Sequence, residues 1–288
     1  MAVYRRGYER YRGPLRGRWA RFAVLPRYTW SRLLGNRPVV LLAALSMVWP
    51  LVSAAGLYVG NHIELLEGLG FGSESADFVR GDGRFFLVFM RVQAVFAVFM
   101  AALAGPGCIA PDVSNNALEL YFSRPISRAE YAAGRFAALF GLLSVITWVP
   151  GVILVAVQAA MAGNGWAADH WRFAPALAAG LGLWILVVAL VALASGAYVR
   201  MKVLAGGLVL GFFFILGGAS GMINAVFRSQ WGHLANPSWA ARRLWHPLLG
   251  VDPPAGPGPA ACAAVLAALV LLLALVLERR LRPVEVVR

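Results

Sequence analysis

The chain has 288 residues, of which 60% are hydrophobic and 14% charged, with a mean hydropathy of +0.70. Soluble domains average about 25% charged, so a soluble globular protein is excluded, as are collagenous and disordered chains. Six crossings at about 20 residues each use roughly 120 residues and leave no room for a large second domain. The formal charge of +13 comes from 25 arginines and a single lysine, Lys202, against 13 acidic residues. These cations flank apolar runs instead of covering a soluble module, which argues against nucleic acid as a partner.

Ten arginines fall within residues 1–37. No apolar stretch of signal-peptide length follows before Pro38, so a secretory signal is not expected. From Leu15 to Leu34 the arginines Arg16, Arg18, Arg21, Arg27 and Arg32 interleave with Trp19, Phe22, Trp30, Leu33 and Leu34. The spacing predicts an amphipathic helix on the membrane surface, broken or kinked at Pro26. Such a helix either contacts a cytoplasmic subunit or is a basic topogenic tail.

Six apolar runs follow: Pro38–Gly60, Phe85–Ala104, Phe136–Ala162, Pro175–Val199, Val203–Val226 and Pro259–Leu277. Each is long enough to span as a helix. The predicted class is therefore an all-α polytopic membrane protein with six transmembrane helices. Residues 1–37 form an interfacial segment, 38–278 one six-helix domain and 279–288 a basic tail. With the N-terminus inside, the cytoplasmic segments hold 19 of the basic residues and the outer loops six. The positive-inside rule thus predicts both termini in the cytoplasm. Arg91 and Gln93 stand within the second span. An arginine there must face the bundle or water, which makes the pair either part of a polar substrate path or an internally paired group.

The loop 105–135 connects the second and third spans. Pro106 and Pro111 are expected to close the second span. Asp112 or Ser114 can then cap a short helix through Phe122, with Leu118, Tyr121 and Phe122 on one face. Pro125 disfavours helix at Arg124. Ser127 and Glu130 have capping-box spacing ahead of the next apolar run. Cys108, placed in this loop, is expected to react with thiol reagents from the cytoplasmic side. Cys262 is expected at the opposite face, too far away for a disulfide.

The run from Ala117 to Phe136, ALELYFSRPISRAEYAAGRF, resembles the signature loop of ABC transporter permeases of the type 2 export class. Within that class it is most similar to the multicopper-enzyme-maturation permeases. Asn116-Ala117 stands where that family has Gly-Thr or Gly-Ser, and Arg135 where it has lysine. The resemblance implies a transmembrane subunit that pairs with a second permease copy and sits on two ATPase subunits. It also implies that this loop, with a coupling helix, docks on the ATPase. Asp112, Leu118, Glu119, Arg124, Pro125, Ser127, Arg128 and Glu130 are the expected contact and shaping residues. ATP and Mg²⁺ would belong to the partner, and the location would be a prokaryotic cytoplasmic membrane.

No residue pattern indicates catalysis. Lys202 precedes Val203, so a phosphate loop ending Gly-Lys-Ser/Thr is excluded, and no hydrolase or paired-cysteine metal motif is present. His62, His170, His233 and His246 all fall in the predicted outer loops. Their scattered spacing reads as interfacial histidines beside tryptophan more readily than as a copper or zinc site. Gly207/Gly211 and Gly217/Gly221 permit close helix packing, within the subunit or across a dimer. Three functions are compatible with the sequence: an ABC export permease without enzymatic activity, a non-transporting membrane scaffold or assembly factor for a periplasmic (multicopper) enzyme working through its outer loops, 227–258 among them, or an integral membrane enzyme.

Overall fold

The computed structural model describes residues 18–62, 81–115, 117, 121 and 127–281, the first five and Asn164 without their side chains. Among these the regular structure is helical. In chain order it comprises α1 (Arg18–Leu34), α2 (Arg37–Asn61), α3 (Gly83–Ala104), α4 (Pro106–Ser114), α5 (Arg128–Ile146) and α6 (Trp148–Ala162). There follow α7 (Asn164–Asp169), α8 (Phe173–Tyr198), α9 (Lys202–Phe227), a 3₁₀ turn at Trp231–Ala235, α10 (Pro237–Leu248) and α11 (Pro259–Arg280). Six helical stretches are long and apolar enough to cross a membrane: 37–61, 83–114, 128–162, 173–198, 202–227 and 259–280.

Prolines explain where these stretches bend and where they do not. Pro150 has no N–H for the carbonyl of Ile146, and the helix breaks there between α5 and α6. Pro50 sits inside α2 and frees the carbonyl of Ser46, which accepts a hydrogen bond from Gln93 Nε2 of α3 at 3.1 Å. Pro106 does not close the second span. It occupies the first position of α4, where a missing N–H costs nothing, and the helical path continues through Pro111 to Ser114. Gly105 makes this junction possible, because a Cβ there would lie 2.4 Å from Ala192 Cβ of α8. Pro26 likewise stands within α1 and does not end it.

The central pillar is α8, buried over most of its length. Indole N–H groups tie its neighbours to it: Trp184 Nε1 donates to Ala94 O of α3 (3.1 Å), and Trp245 Nε1 of α10 to Gly180 O of α8 (3.0 Å). Such interhelical bonds contribute about 0.6–2 kcal/mol each in membrane proteins, where packing and not water exclusion drives association. In contrast α2, α9 and α11 present long apolar faces outward, including Leu41, Leu51, Phe214, Ile215 and Leu271.

A series of contacts places α1 and the end of α11 at the same end of the bundle. Arg280 Nε donates to Ala197 O at the end of α8, and Gly196 packs on Pro106 at the start of α4. Asp112 of α4 pairs with Arg135 of α5, on which α1 is seated. The opposite end is closed by α10, which also ties to the α11 side where Arg243 Nε meets Pro257 O at 3.2 Å. The predicted outer loop 227–258 is thus not all loop. Asn236 caps α10 by accepting from the amides of Ser238 and Trp239, and Pro237 takes the first helical position.

Candidate coupling site

The loop that carries the sequence motif has an ordered base. Ser127 is extended (φ −75°, ψ 158°) and accepts from the Glu130 amide at 3.2 Å, while Glu130 Oε2 accepts from the Ser127 amide at 2.9 Å. The expected capping box is therefore present, and α5 begins at Arg128, well before the predicted third span. Arg128 is exposed beside it. Leu118, Glu119, Arg124 and Pro125 lie outside the described residues, as does most of the short helix expected through Phe122.

Asp112 departs from its expected role. It is inside α4, not a cap, and only 7% exposed. Its Oδ2 accepts from the Tyr131 hydroxyl at 2.6 Å and from Arg135 Nη2. Tyr131 and Arg135 are four residues apart, so one face of α5 presents both. Arg135 is 1% exposed. Its Nη1 donates to Thr29 Oγ1 of α1 at 2.7 Å, and the Thr29 hydroxyl in turn donates to Leu25 O at 2.8 Å. The guanidinium carbon lies 5.2 Å from the Tyr131 ring centre and 5.9 Å from that of Tyr121. One cation therefore joins α1, α4 and α5 with a loop residue, Tyr121.

Two glycines let α1 reach this joint. A Cβ on Gly134 would stand 2.9 Å from Leu25 Cβ, and one on Gly141 3.0 Å from the Trp30 ring. Trp30 then donates Nε1–H to Ala138 O at 2.7 Å. Leu25, Thr29 and Leu33 form the buried stripe of α1, at the four-residue spacing of one helix face, while Arg27 and Arg32 remain exposed. The basic segment is thus docked along α5. Cys108, one turn before Asp112, is 1% exposed and not open in a loop, because α4 carries it into the packed interior. Cys262, also a buried free thiol, begins α11 at the opposite end.

Arg91 and Gln93 do not form one site. Two residues apart on a helix they point in different directions, and Gln93 is fully buried against the carbonyl freed by Pro50. Arg91 instead reaches α10, where Nη2 lies 3.2 Å from His246 Nε2. His246 Nδ1 is 2.8 Å from Asp252 O, so Nδ1 carries the proton and Nε2 is free to accept from Arg91. Burial pushes His246 below the ordinary imidazole range. Its bond to Asp252 O opposes this, and the charges of Arg91, Arg243 and Arg242 add to it. The other histidines stack locally, His62 on Tyr58, His170 on Trp166 and His233 on Trp239. Among the described residues no three His, Cys, Asp or Glu side chains are grouped to hold a metal ion.

The family model described as ABC-2 family transporter protein matches residues 39–282. The chain belongs to this family. No curated protein matches it. The ABC-2 transporter is thus a multi-pass membrane protein, a transmembrane subunit whose partners are an ABC ATPase subunit and the bilayer. The match starts in the first turn of α2 and ends just past α11, leaving α1 outside it. Sequence reasoning missed Thr29 and Tyr131, and treated Arg135 only as a replacement for lysine. The signal within reach was the four-residue spacing of Tyr131 and Arg135 behind a capping box.

Proposed function

We propose that this ABC-2 subunit is an export permease that receives ATPase motion through the 105–135 loop. The observation that supports this reading is the buried Asp112–Arg135 pair beneath the motif, bonded to Tyr131 and Thr29. A lever transmits motion only when its base resists bending. This joint fastens both ends of the loop, and α1, to one another. Arg124, Pro125, Ser127, Arg128 and Glu130 then act as docking and shaping residues, with Leu118 and Glu119 on the preceding segment.

In this reading both termini face the cytoplasm of a prokaryote, since the basic residues concentrate at the α1 end. Two copies pair and engage two ATPase subunits, which hold ATP and Mg²⁺; the permease itself catalyses nothing. The similarity of the loop to multicopper-enzyme-maturation permeases supports that subclass.

The test is recovery of the ATPase subunit with the permease from membranes, with ATP turnover, for Arg124→Glu and Pro125→Ala. Arg124→Glu is expected to weaken recovery, since a charge-assisted hydrogen bond contributes about 1.5–3 kcal/mol. Pro125→Ala is expected to spare recovery and uncouple turnover from transport, because the preceding helix can then run on. Normal recovery and coupling in both variants would remove the loop from the mechanism. A wild-type protein that never recovers an ATPase would favour the scaffold reading.

A further inference from the structure

A cavity of about 300 Å³ opens between α3 and α9, bordered by α8 and roofed by α10. Its chemistry is divided along its length. Arg91, Arg242 and Ser238 stand at the α10 end. Below them Val95 and Phe99 continue the α3 wall, one and two turns further on, opposite Leu210 and Phe214 of α9. At 1.5 Å per residue, the eight steps from Arg91 to Phe99 set an apolar wall reaching about 12 Å below the arginine. Val95, Phe99 and Phe214 are all exposed, so the cavity is open sideways.

Among the described residues the charge at the top has no acidic counterpart. Arg91 is bonded to the neutral His246 ring, and Arg242 Nε to Ser238 O of its own helix at 3.2 Å. Among the described residues no carboxylate lines the cavity. Two guanidinium groups converging without an acid suit a phosphate or carboxylate, which accepts from both. The apolar wall beneath suits a hydrocarbon chain. At the lower end of the ligand-pocket range of about 300–1,000 Å³, the cavity has room for one such chain.

We propose that this cavity binds an anionic phospholipid from the surrounding bilayer. Its phosphate bridges Arg91 and Arg242, and one acyl chain lies along α3 toward Phe99. The order of polar and apolar lining matches a lipid standing in its leaflet, head toward α10 and chain toward the bundle's middle. The side opening leaves the second chain among its bilayer neighbours. This assignment rests on the six spans lying in a membrane and is independent of coupling to an ATPase, so either reading can fail alone.

The experiment uses the full chain in phosphatidylcholine nanodiscs containing phosphatidylglycerol, with retained lipids counted by native mass spectrometry. Phosphatidylglycerol is expected to be retained in preference to phosphatidylcholine. Arg242→Gln should reduce that retention by roughly tenfold, the loss expected for one charge-assisted contact. Arg242→Lys should keep much of it. Val95→Trp, which fills the cavity with both arginines intact, should also abolish the preference and covers the case in which Arg242→Gln fails to fold. Equal retention of the two lipids, or undiminished phosphatidylglycerol in Val95→Trp, overturns the proposal. So does binding of added dodecyl phosphate without phosphatidylglycerol, which would assign the site to a free single-chain anion.

Discussion

Replacing Arg135 with methionine tests whether the joint beneath the loop is held by its charge pair. Asp112 would keep the Tyr131 hydroxyl but lose the guanidinium, leaving a carboxylate in a site only 7% exposed. Breaking one side of a buried pair costs about 3–5 kcal/mol. Thr29 adds little, because its hydroxyl still donates to Leu25 O. At about 2–4 °C per kcal/mol for a chain somewhat smaller than this one, the melting temperature should fall by roughly 6–20 °C. Asp112→Leu alone should cost a similar amount by stranding Arg135. The double variant should be milder than the sum, with a coupling of about 2–3 kcal/mol, since no unpaired charge is left. Thermal unfolding of the purified protein gives the four corners of the cycle. Tryptic cleavage after Arg27 and Arg32, both exposed on α1, reports whether that helix detaches. Additive losses, or single variants that leave the melting temperature and the cleavage rate unchanged, would refute the argument.

Ser127→Ala removes one half of the capping box and should cost about 1 kcal/mol of stability with little effect on ATPase recovery, read by thermal unfolding and co-purification. His246 makes stability depend on pH. Its folded pKa lies below the unfolded value of about 6.5, so the unfolded chain binds more protons and stability rises with pH; it is complete above about pH 6.5 and lost as pH falls below it. Melting curves from about pH 7.5 to 5 should show this slope, and His246→Gln should flatten it. Cys108 and Cys262 should resist maleimide in the folded protein and label only on denaturation, as both are buried.

The spans were legible because long apolar runs have few alternatives in a chain this poor in charge. Their ends were less so, since a proline's effect depends on its position in the helix. Pro106 at the first position of α4 extends the second span, whereas Pro150, further along, breaks the third. The Ser127–Glu130 box was readable because both partners lie within four residues. Asp112 and Arg135 are 23 residues apart across the loop, and no periodicity links them. Asp112 therefore resembled a cap, since a lone aspartate after a proline-bounded helix usually is one. Gln93 posed the same difficulty. A buried glutamine suggests a polar path until its partner, the carbonyl opposite Pro50, is seen. In the outer loop, Asn236-Pro237 was an overlooked helix-start signal, and its helix carries Arg242 and His246 to Arg91.

The two ends of the bundle treat their arginines in opposite ways, and this difference has mechanical consequences. At the α1 end Arg135 has its counter-ion, Asp112, inside the fold, with two ring faces and a hydroxyl beside it, while its buried Nε has no acceptor among the described residues. A pair closed in this way gains nothing by moving, because any separation leaves two charges without water. It favours α1, α4 and α5 moving as one body. At the α10 end Arg91 and Arg242 have, among the described residues, only neutral acceptors, and α10 holds its place through the bonds of Trp245, Arg243 and His246 to backbone carbonyls. Among the described residues no carboxylate lines the cavity at that end, so an arriving anion meets two cations without an acid beside them. In the proposed reading, a rigid joint at one end and an open cationic cavity at the other would let force applied at the base act on a site at the far end.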